Sequence, residues 1–336
     1  MVKIHKKFLI LFSVLFSFYL ALPSWAGAAK LYLEPSSLEV SAGETFMVDI
    51  KIDSEGECIN AVETGLIFPK DILEYVDFSK GKSILSLWAK EPTFSVISCN
   101  EPNVSCDLSA EASAKVGLVE FSGGIPNGYC GRIPGDPGPS NLLGQIIFRV
   151  PGMAVRELNN EQLSGEIKFT DNSQVLLNDG LGTSAKLTTQ GAVFHLVSKS
   201  EPAKDEWKEK LTQDKTPPEA FEIQVLQDPN IFEGKYFIIF QTTDKQTGIS
   251  HYEVKEEKRD WQKAESPYLL EDQSLRSIIK VKAVDKAGNE RIAEYTPPRV
   301  TKRITKETLI IIGLVILLVI SLIIKKYLFK NVKKDH

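Results

Sequence analysis

Apolar and polar residues alternate along most of this chain, and the alternation gives way to an unbroken apolar run near each end. In Thr45-Phe46-Met47-Val48-Asp49-Ile50-Lys51-Ile52, the residues Phe46, Val48, Ile50 and Ile52 occupy every second position. Side chains of a strand point alternately to its two faces, so this period predicts a half-buried strand, opened by the turn Ser41-Ala42-Gly43-Glu44. Val62, Leu66 and Phe68 share one face in the same way, with Glu63 opposite, and residues 144–150 and 191–196 supply further strands. Many short strands at even spacing with little helical period predict an all-β fold, an antiparallel β-sandwich over residues 29–197.

Residues 198–216 (SKSEPAKDEWKEKLTQDKT) are polar and charge-dense, with Trp207 and Leu211 as the sizeable apolar groups, and read as a linker with room for a helical turn or two. A second module follows over 217–298. Tyr236 to Thr242, Ile249 to Val254 and Ile278 to Val284 are strand-like, and Ile279, Val281 and Ala283 alternate with Lys280 and Lys282. The turn Asp285-Lys286-Ala287-Gly288-Asn289 ends the last of them. A stretch of this size and pattern predicts a smaller, Ig-like β-sandwich. Pro297-Pro298 closes it, and residues 299–307 form a basic stalk.

The ends of the chain set its expected compartment. Lys3, His5, Lys6 and Lys7 precede an apolar run from Phe8 to Leu22, then Pro23 and small residues. That order is the layout of a secretory signal peptide over 1–28, cleaved after Ala26 or Ala28. Residues 308–324 (TLIIIGLVILLVISLII) carry no charge and no polar face, and at about 1.5 Å per residue they span about 25 Å, enough for a transmembrane helix. Lys325, Lys326, Lys330, Lys333 and Lys334 make 325–336 a basic tail, which positive-inside bias places in the cytoplasm. The expected topology is a single pass through the cell membrane, with the N-terminal ectodomain outside at the cell surface.

The net charge of −4 and the lack of a basic stripe interleaved with aromatics exclude nucleic acid as the expected partner. All four cysteines, Cys58, Cys99, Cys106 and Cys130, fall in the exported half, where disulfides persist. Neither CxxC pairs nor interspersed histidines accompany them, so a disulfide reading precedes a metal one. Three pairings are open; short separation favours Cys99 with Cys106, leaving Cys58 for Cys130, and free thiols are the alternative. The four histidines, His5, His195, His251 and His336, form no metal-spaced pair, and no nucleophile elbow, P-loop or dinucleotide fingerprint occurs. No catalytic residues and no metal ligands are therefore assigned, and no enzyme is expected. Asp171, Asn172, Asn178 and Asp179 are oxygen-rich enough to line a calcium site, but a pair of polar turns accounts for them as well.

The first module resembles the cohesin domain, specifically the cohesin-like modules of bacterial surface proteins. The likeness lies in residues 59–88 (INAVETGLIFPKDILEYVDFSKGKSILSLW), 117–131 (GLVEFSGGIPNGYCG), 144–150 (GQIIFRV) and 175–183 (VLLNDGLGT). It implies a nine-stranded jelly roll related to carbohydrate-binding modules, and a binder of dockerin-like proteins or polysaccharide with a part in polysaccharide breakdown. In the strand order it implies, the strand starting at Cys58 lies near the end of the one before Cys130, in agreement with the pairing from spacing. The family's dockerin-reading strand often carries an Asn-x-Asp pair; the matching positions here are Ala61-Val62-Glu63, so Glu63 alone keeps the carboxylate and is the candidate binding residue. The second module is similar to bacterial Ig-like or fibronectin-III-like repeats in Asp214-Lys215-Thr216-Pro217-Pro218, in residues 242–254 (TTDKQTGISHYEV) and in 281–290 (VKAVDKAGNE), which implies a spacer. The expected function is a membrane-anchored cell-surface binding protein. Against it stand a structural or adhesive protein acting by self-association or cell contact, and a glycoside hydrolase whose carboxylate pair is assembled in space.

Overall fold

The structure is a computed structural model and describes residues 28–98, 115–131, 141–152, 164–198, 202–297 and 306–332. The expected signal peptide, save its last residue, the expected Cys99–Cys106 pair and most of the basic stalk lie outside these residues.

Alternation becomes burial in the first module. Strands β1 (Ala29–Glu34), β3 (Thr45–Asp53), β5 (Glu74–Ser79), β8 (Leu142–Arg149) and β11 (Leu187–Gln190) form one sheet in the order β11-β1-β3-β8-β5. Strands β2 (Ser37–Val40), β4 (Ile59–Pro69), β6 (Leu87–Ser98), β7 (Lys115–Tyr129), β9 (Ser164–Phe169) and β12 (Ala192–Leu196) form the other, in the order β2-β12-β9-β4-β7-β6, with β10 (Gln174–Leu177) paired to β4. Phe46, Val48, Ile50 and Ile52 of β3 point into the sandwich and are buried, as do Val62, Leu66 and Phe68 of β4. The layers meet where the Phe68 ring stands edge-on to Phe148, centroids 4.8 Å apart. Gly117 makes room for that contact, because a Cβ there would lie 2.3 Å from the Phe68 ring.

The fold is the expected all-β sandwich, with two corrections to its detail. Twelve strands are described where the resemblance implies nine, partly because two chain runs change sheets midway and count twice. The run β1–β2 breaks at Pro35, and the run β11–β12 breaks at Gly191, where a Cβ would sit 2.3 Å from the Ile167 carbonyl oxygen. These two runs also lie side by side in the same direction, so β1 with β11 and β2 with β12 are parallel pairs within an otherwise antiparallel scaffold. Cys58 and Cys130 form a disulfide at the open end of the β4–β7 pair, next to the Ile59–Tyr129 register.

The second module packs a three-stranded sheet, β13 (Gln224–Gln227), β14 (Tyr236–Ile239) and β17 (Tyr268–Leu269), on a four-stranded one, β16 (Gln262–Ala264), β15 (Ile249–Glu256), β18 (Ile279–Asp285) and β19 (Glu290–Tyr295). Ile238 and Phe240 from one layer meet Val254, Ile279 and Val281 from the other. Its two ends differ. One carries the β18–β19 turn and Asp244, and abuts the first module. The other gathers Tyr236, Glu256, Leu270 and Asp272 around the last residues of β19, through bonds such as Leu270 N–H to the Tyr236 carbonyl and Asp272 N–H to Glu256 Oε2.

At that far end the Asp272 carboxylate accepts from the N–H and hydroxyl groups of both Ser274 and Ser277, which hold its pKa well below the usual range. A depressed folded-state pKa means stabilisation that is complete above the ordinary value of 3.8 and is lost as the pH falls towards the folded value. The melting temperature of the module is therefore expected to drop between about pH 4 and pH 2 more steeply in the parent than in Asp272→Asn. Equal slopes in a pH series of thermal melts would remove Asp272 from the acid response.

Between the modules, the expected linker carries helix α1 (Glu206–Gln213), capped by Asp205, whose carboxylate accepts the Lys208 N–H at 3.0 Å. Trp207 is buried, Asp205 bridges to Thr45 of β3, and the Thr45 N–H donates to the Lys204 carbonyl. The stretch is thus a packed element rather than a free tether. The polar composition read from sequence holds, but the tryptophan is buried where the helix meets the first sheet. Near the C-terminus helix α2 spans Lys306–Val332. Among the described residues no helix is long and apolar enough to cross a membrane, side chains of α2 being described over 309–325 alone. The large apolar residues of α2 from Leu309 to Ile324 are 46 to 64% exposed, so among the described residues no protein surface covers them.

Candidate functional site

The outer face of the second sheet is set by which residues the core rejects. With Val62, Leu66 and Phe68 of β4 inward, Ala61, Glu63, Gly65 and Ile67 face outward. Pairing registers then extend each position into a row. Gln174 of β10, Glu63 of β4, Ser122 of β7 and Lys90 of β6 lie side by side, and so do Leu176, Ala61, Gly124 and Leu87. The result is a polar row next to an apolar one on a surface four strands wide. Leu87 is 51% exposed, and Lys90 reaches along β7 to form an ion pair with Glu120 at 2.8 Å.

Glu63 stands exposed in the middle of the polar row. Ala61, the other outward position singled out by the resemblance, lies beside it on the same face. Sequence reasoning reached these two because both lie on one strand. It missed Leu176, Gln174, Leu87 and Lys90, whose proximity depends on strand order.

A second gathering lies where the modules meet. Asp214 follows α1, Asp244 lies between β14 and β15, and Asp285 ends β18; one carboxylate oxygen of each falls within 4.8 Å of the others, and all three are buried. Asp244 Oδ1 accepts the N–H groups of Gln246, Thr247 and Gly248 at 2.7–3.0 Å. The Thr247 hydroxyl donates to Asp214 Oδ2 at 2.7 Å, and Asn289 donates to both Asp285 oxygens. Among the described residues this is the one group with the spacing of metal ligands. At the oxygen-rich positions Asp171, Asn172, Asn178 and Asp179, Asp179 Oδ1 accepts the Leu181 N–H, and a hydrogen bond from Thr183 lowers its pKa. The available sequence signal was a dipeptide, since Asp-Lys opens the turn at 214, at 244 and at 285.

The same loops fasten the modules together. Ser79 Oγ donates to the Thr247 carbonyl at 2.8 Å, Lys286 pairs with Asp77, and Gly81 is pressed against the Gln246 backbone. Lys210 of α1 donates to Gln145 of β8, and burial lowers its pKa. Beside this contact a cleft of about 1930 Å³ opens between the modules, lined by Lys80, Trp88, Tyr252 and Lys263 among others.

Solved structures similar to this chain are cohesin domains. A type I cohesin–dockerin complex from Clostridium thermocellum is 10% identical over 50% of this chain and 93% of its own, with a TM-score of 0.33. A non-cellulosomal cohesin from the archaeon Archaeoglobus fulgidus is 18% identical over 52% and 94%, TM-score 0.29. The cohesin module of a Clostridium perfringens family 33 glycoside hydrolase is 9% identical over 54% and 98%, TM-score 0.27. No family model and no curated protein matches the chain. Identities and TM-scores this low leave the function to the geometry of the chain itself.

Proposed function

We propose that the chain is a membrane-anchored binding protein of the cell surface, whose larger sandwich holds a dockerin-like protein module on the outer face of β10, β4, β7 and β6, and whose smaller, Ig-like sandwich is a spacer. The observation that carries this reading is the pair of adjoining rows, a polar row with Glu63 beside an apolar row ending at the exposed Leu87. A surface with an apolar strip and charged flanks suits a protein partner, and about 800 Å² buried on each side makes a stable complex. The anchor is supported by the uncharged run 308–324 and by the uncovered apolar side chains of α2. The resemblance to cohesins over 59–88 and 117–131 supports the partner class.

The full chain in lipid nanodiscs, titrated calorimetrically with a panel of dockerin modules, tests the proposal. Leu87→Asp and Glu63→Lys are each expected to weaken binding by about tenfold or more, the size of a central interface residue. A substitution on the opposite sheet, Lys30→Ala, should change nothing. No binding to any dockerin, with binding to polysaccharide or to a second copy in its place, rejects the partner class; binding unaffected by both face variants rejects the face.

A further inference from the structure

The apolar row on the outer face does not stop at the edge of its sheet. Its last member, Leu87, also lines a notch of about 720 Å³ at the junction of the modules. From the larger sandwich Pro126 joins it, exposed and two residues along β7 from Gly124, on the same face. From the smaller sandwich come Ala220, Phe221 and Glu222, which precede β13, and Gln241, which follows β14. The half-buried Phe221 ring stands edge-on to Tyr252, centroids 6.4 Å apart, and gives the notch an apolar back.

The notch is built before any partner arrives. Gln241 Nε2 donates to the Ser86 carbonyl, one residue from Leu87, and Ser79 Oγ donates to the Thr247 carbonyl, so the wall from the smaller sandwich is fixed against the larger. Behind it, the Glu219 N–H donates to the Thr243 carbonyl at 2.9 Å and the Thr242 hydroxyl to the Glu219 carbonyl at 2.6 Å, which ties the start of that wall to the segment carrying Gln241. A preformed, mainly apolar recess at a domain junction, with a few polar groups around it, is the kind of place where a ligand group seats, and a wall that needs no ordering costs little to bind.

Charge says what seats there. On the outer face Lys90 is neutralised by Glu120, and beside the notch Glu219 is neutralised by Lys245 at 2.8 Å. Glu63, in the row alongside, and Glu222, on the notch wall, are both exposed, and among the described residues neither pairs with a cation. An apolar strip with one unpaired carboxylate beside it and another past its end complements an apolar surface that carries basic side chains. We propose that the partner held on the outer face also inserts an apolar side chain into this notch and sets a lysine or arginine against Glu222, so that the smaller sandwich is the second wall of the binding site as well as a spacer. This rests on the reading of the outer face as the site for a dockerin-like module, and it places selection among such modules at residues 220–222 as well as on the larger sandwich.

The test uses the full chain in lipid nanodiscs, titrated with the same panel of dockerin modules. Ala220→Trp, which fills the notch from an exposed position, and Glu222→Lys, which reverses its charge, are each expected to lower affinity about fivefold or more, with Glu222→Asp close to the parent and all three melting at the parent temperature. The loss in Glu222→Lys should shrink at high salt, where exposed charges are screened, while that in Ala220→Trp persists. Affinity lost in Glu63→Lys but kept at the parent level in Ala220→Trp and Glu222→Lys overturns the notch and leaves the face standing. Binding to no module of the panel overturns the face, and the notch with it.

Discussion

Replacing Cys58 and Cys130 together by serine is expected to destabilise the larger sandwich by about 4 kcal/mol, the chain-entropy value for a loop of 72 residues. The bond joins the residue before β4 to the residue after β7, so the enclosed loop contains β5 and β6 as well. Without it, the unfolded chain regains the freedom of that loop while the native β4–β7 ladder stays hydrogen-bonded. The loss should appear as a lower midpoint in denaturant, with little change in the outer face if the variant is assayed well below its melting temperature. The same shift should follow when the parent is unfolded under reducing conditions. A midpoint within about 0.5 kcal/mol of the parent, the range of ordinary surface substitutions, would show that the crosslink does not constrain the unfolded chain.

The second large effect is expected at Asp244. Its Oδ1 collects three backbone N–H groups in a buried loop, and Asp244→Ala leaves all of them without an acceptor. Each unmet buried donor costs about 1–3 kcal/mol, so the smaller sandwich is expected to lose about 4 kcal/mol. Asp244→Asn keeps an oxygen in place and should cost markedly less. The loop also presents the Thr247 carbonyl to Ser79 and packs Gly248 against Lys80 and Gly81, so its collapse should loosen the contact between the modules. Calorimetry of Asp244→Ala should therefore show the smaller sandwich melting earlier, separated from the larger one. Melting of both variants at the parent temperature would mean that the loop is held by something other than this carboxylate.

Fold class was legible because it is written in short-range periodicity. The alternation of Phe46, Val48, Ile50 and Ile52, and that of Ile279, Val281 and Ala283, each assigns one face of a strand to the core, and the structure buries all seven. Helix α1 was only half legible. Its eight residues give too short a window for a period to stand out, and its position depends on the burial of Trp207 and on backbone contacts of Lys204 and Asp205 with Thr45 of β3, which no local pattern announces. Glu63 was visible as an outward position on its strand.

Sequence by itself determined which residues are apolar on which side of each strand, where turns interrupt them, and that an uncharged run follows the second module. These are local consequences of side-chain chemistry and the two-residue repeat of an extended chain. Tertiary structure alone decided that Leu176, Ala61, Gly124 and Leu87 form a row and that Asp214, Asp244 and Asp285 converge. Each of these joins positions far apart in the chain, and such neighbours are chosen by strand order and register, which only the closing of the whole core selects.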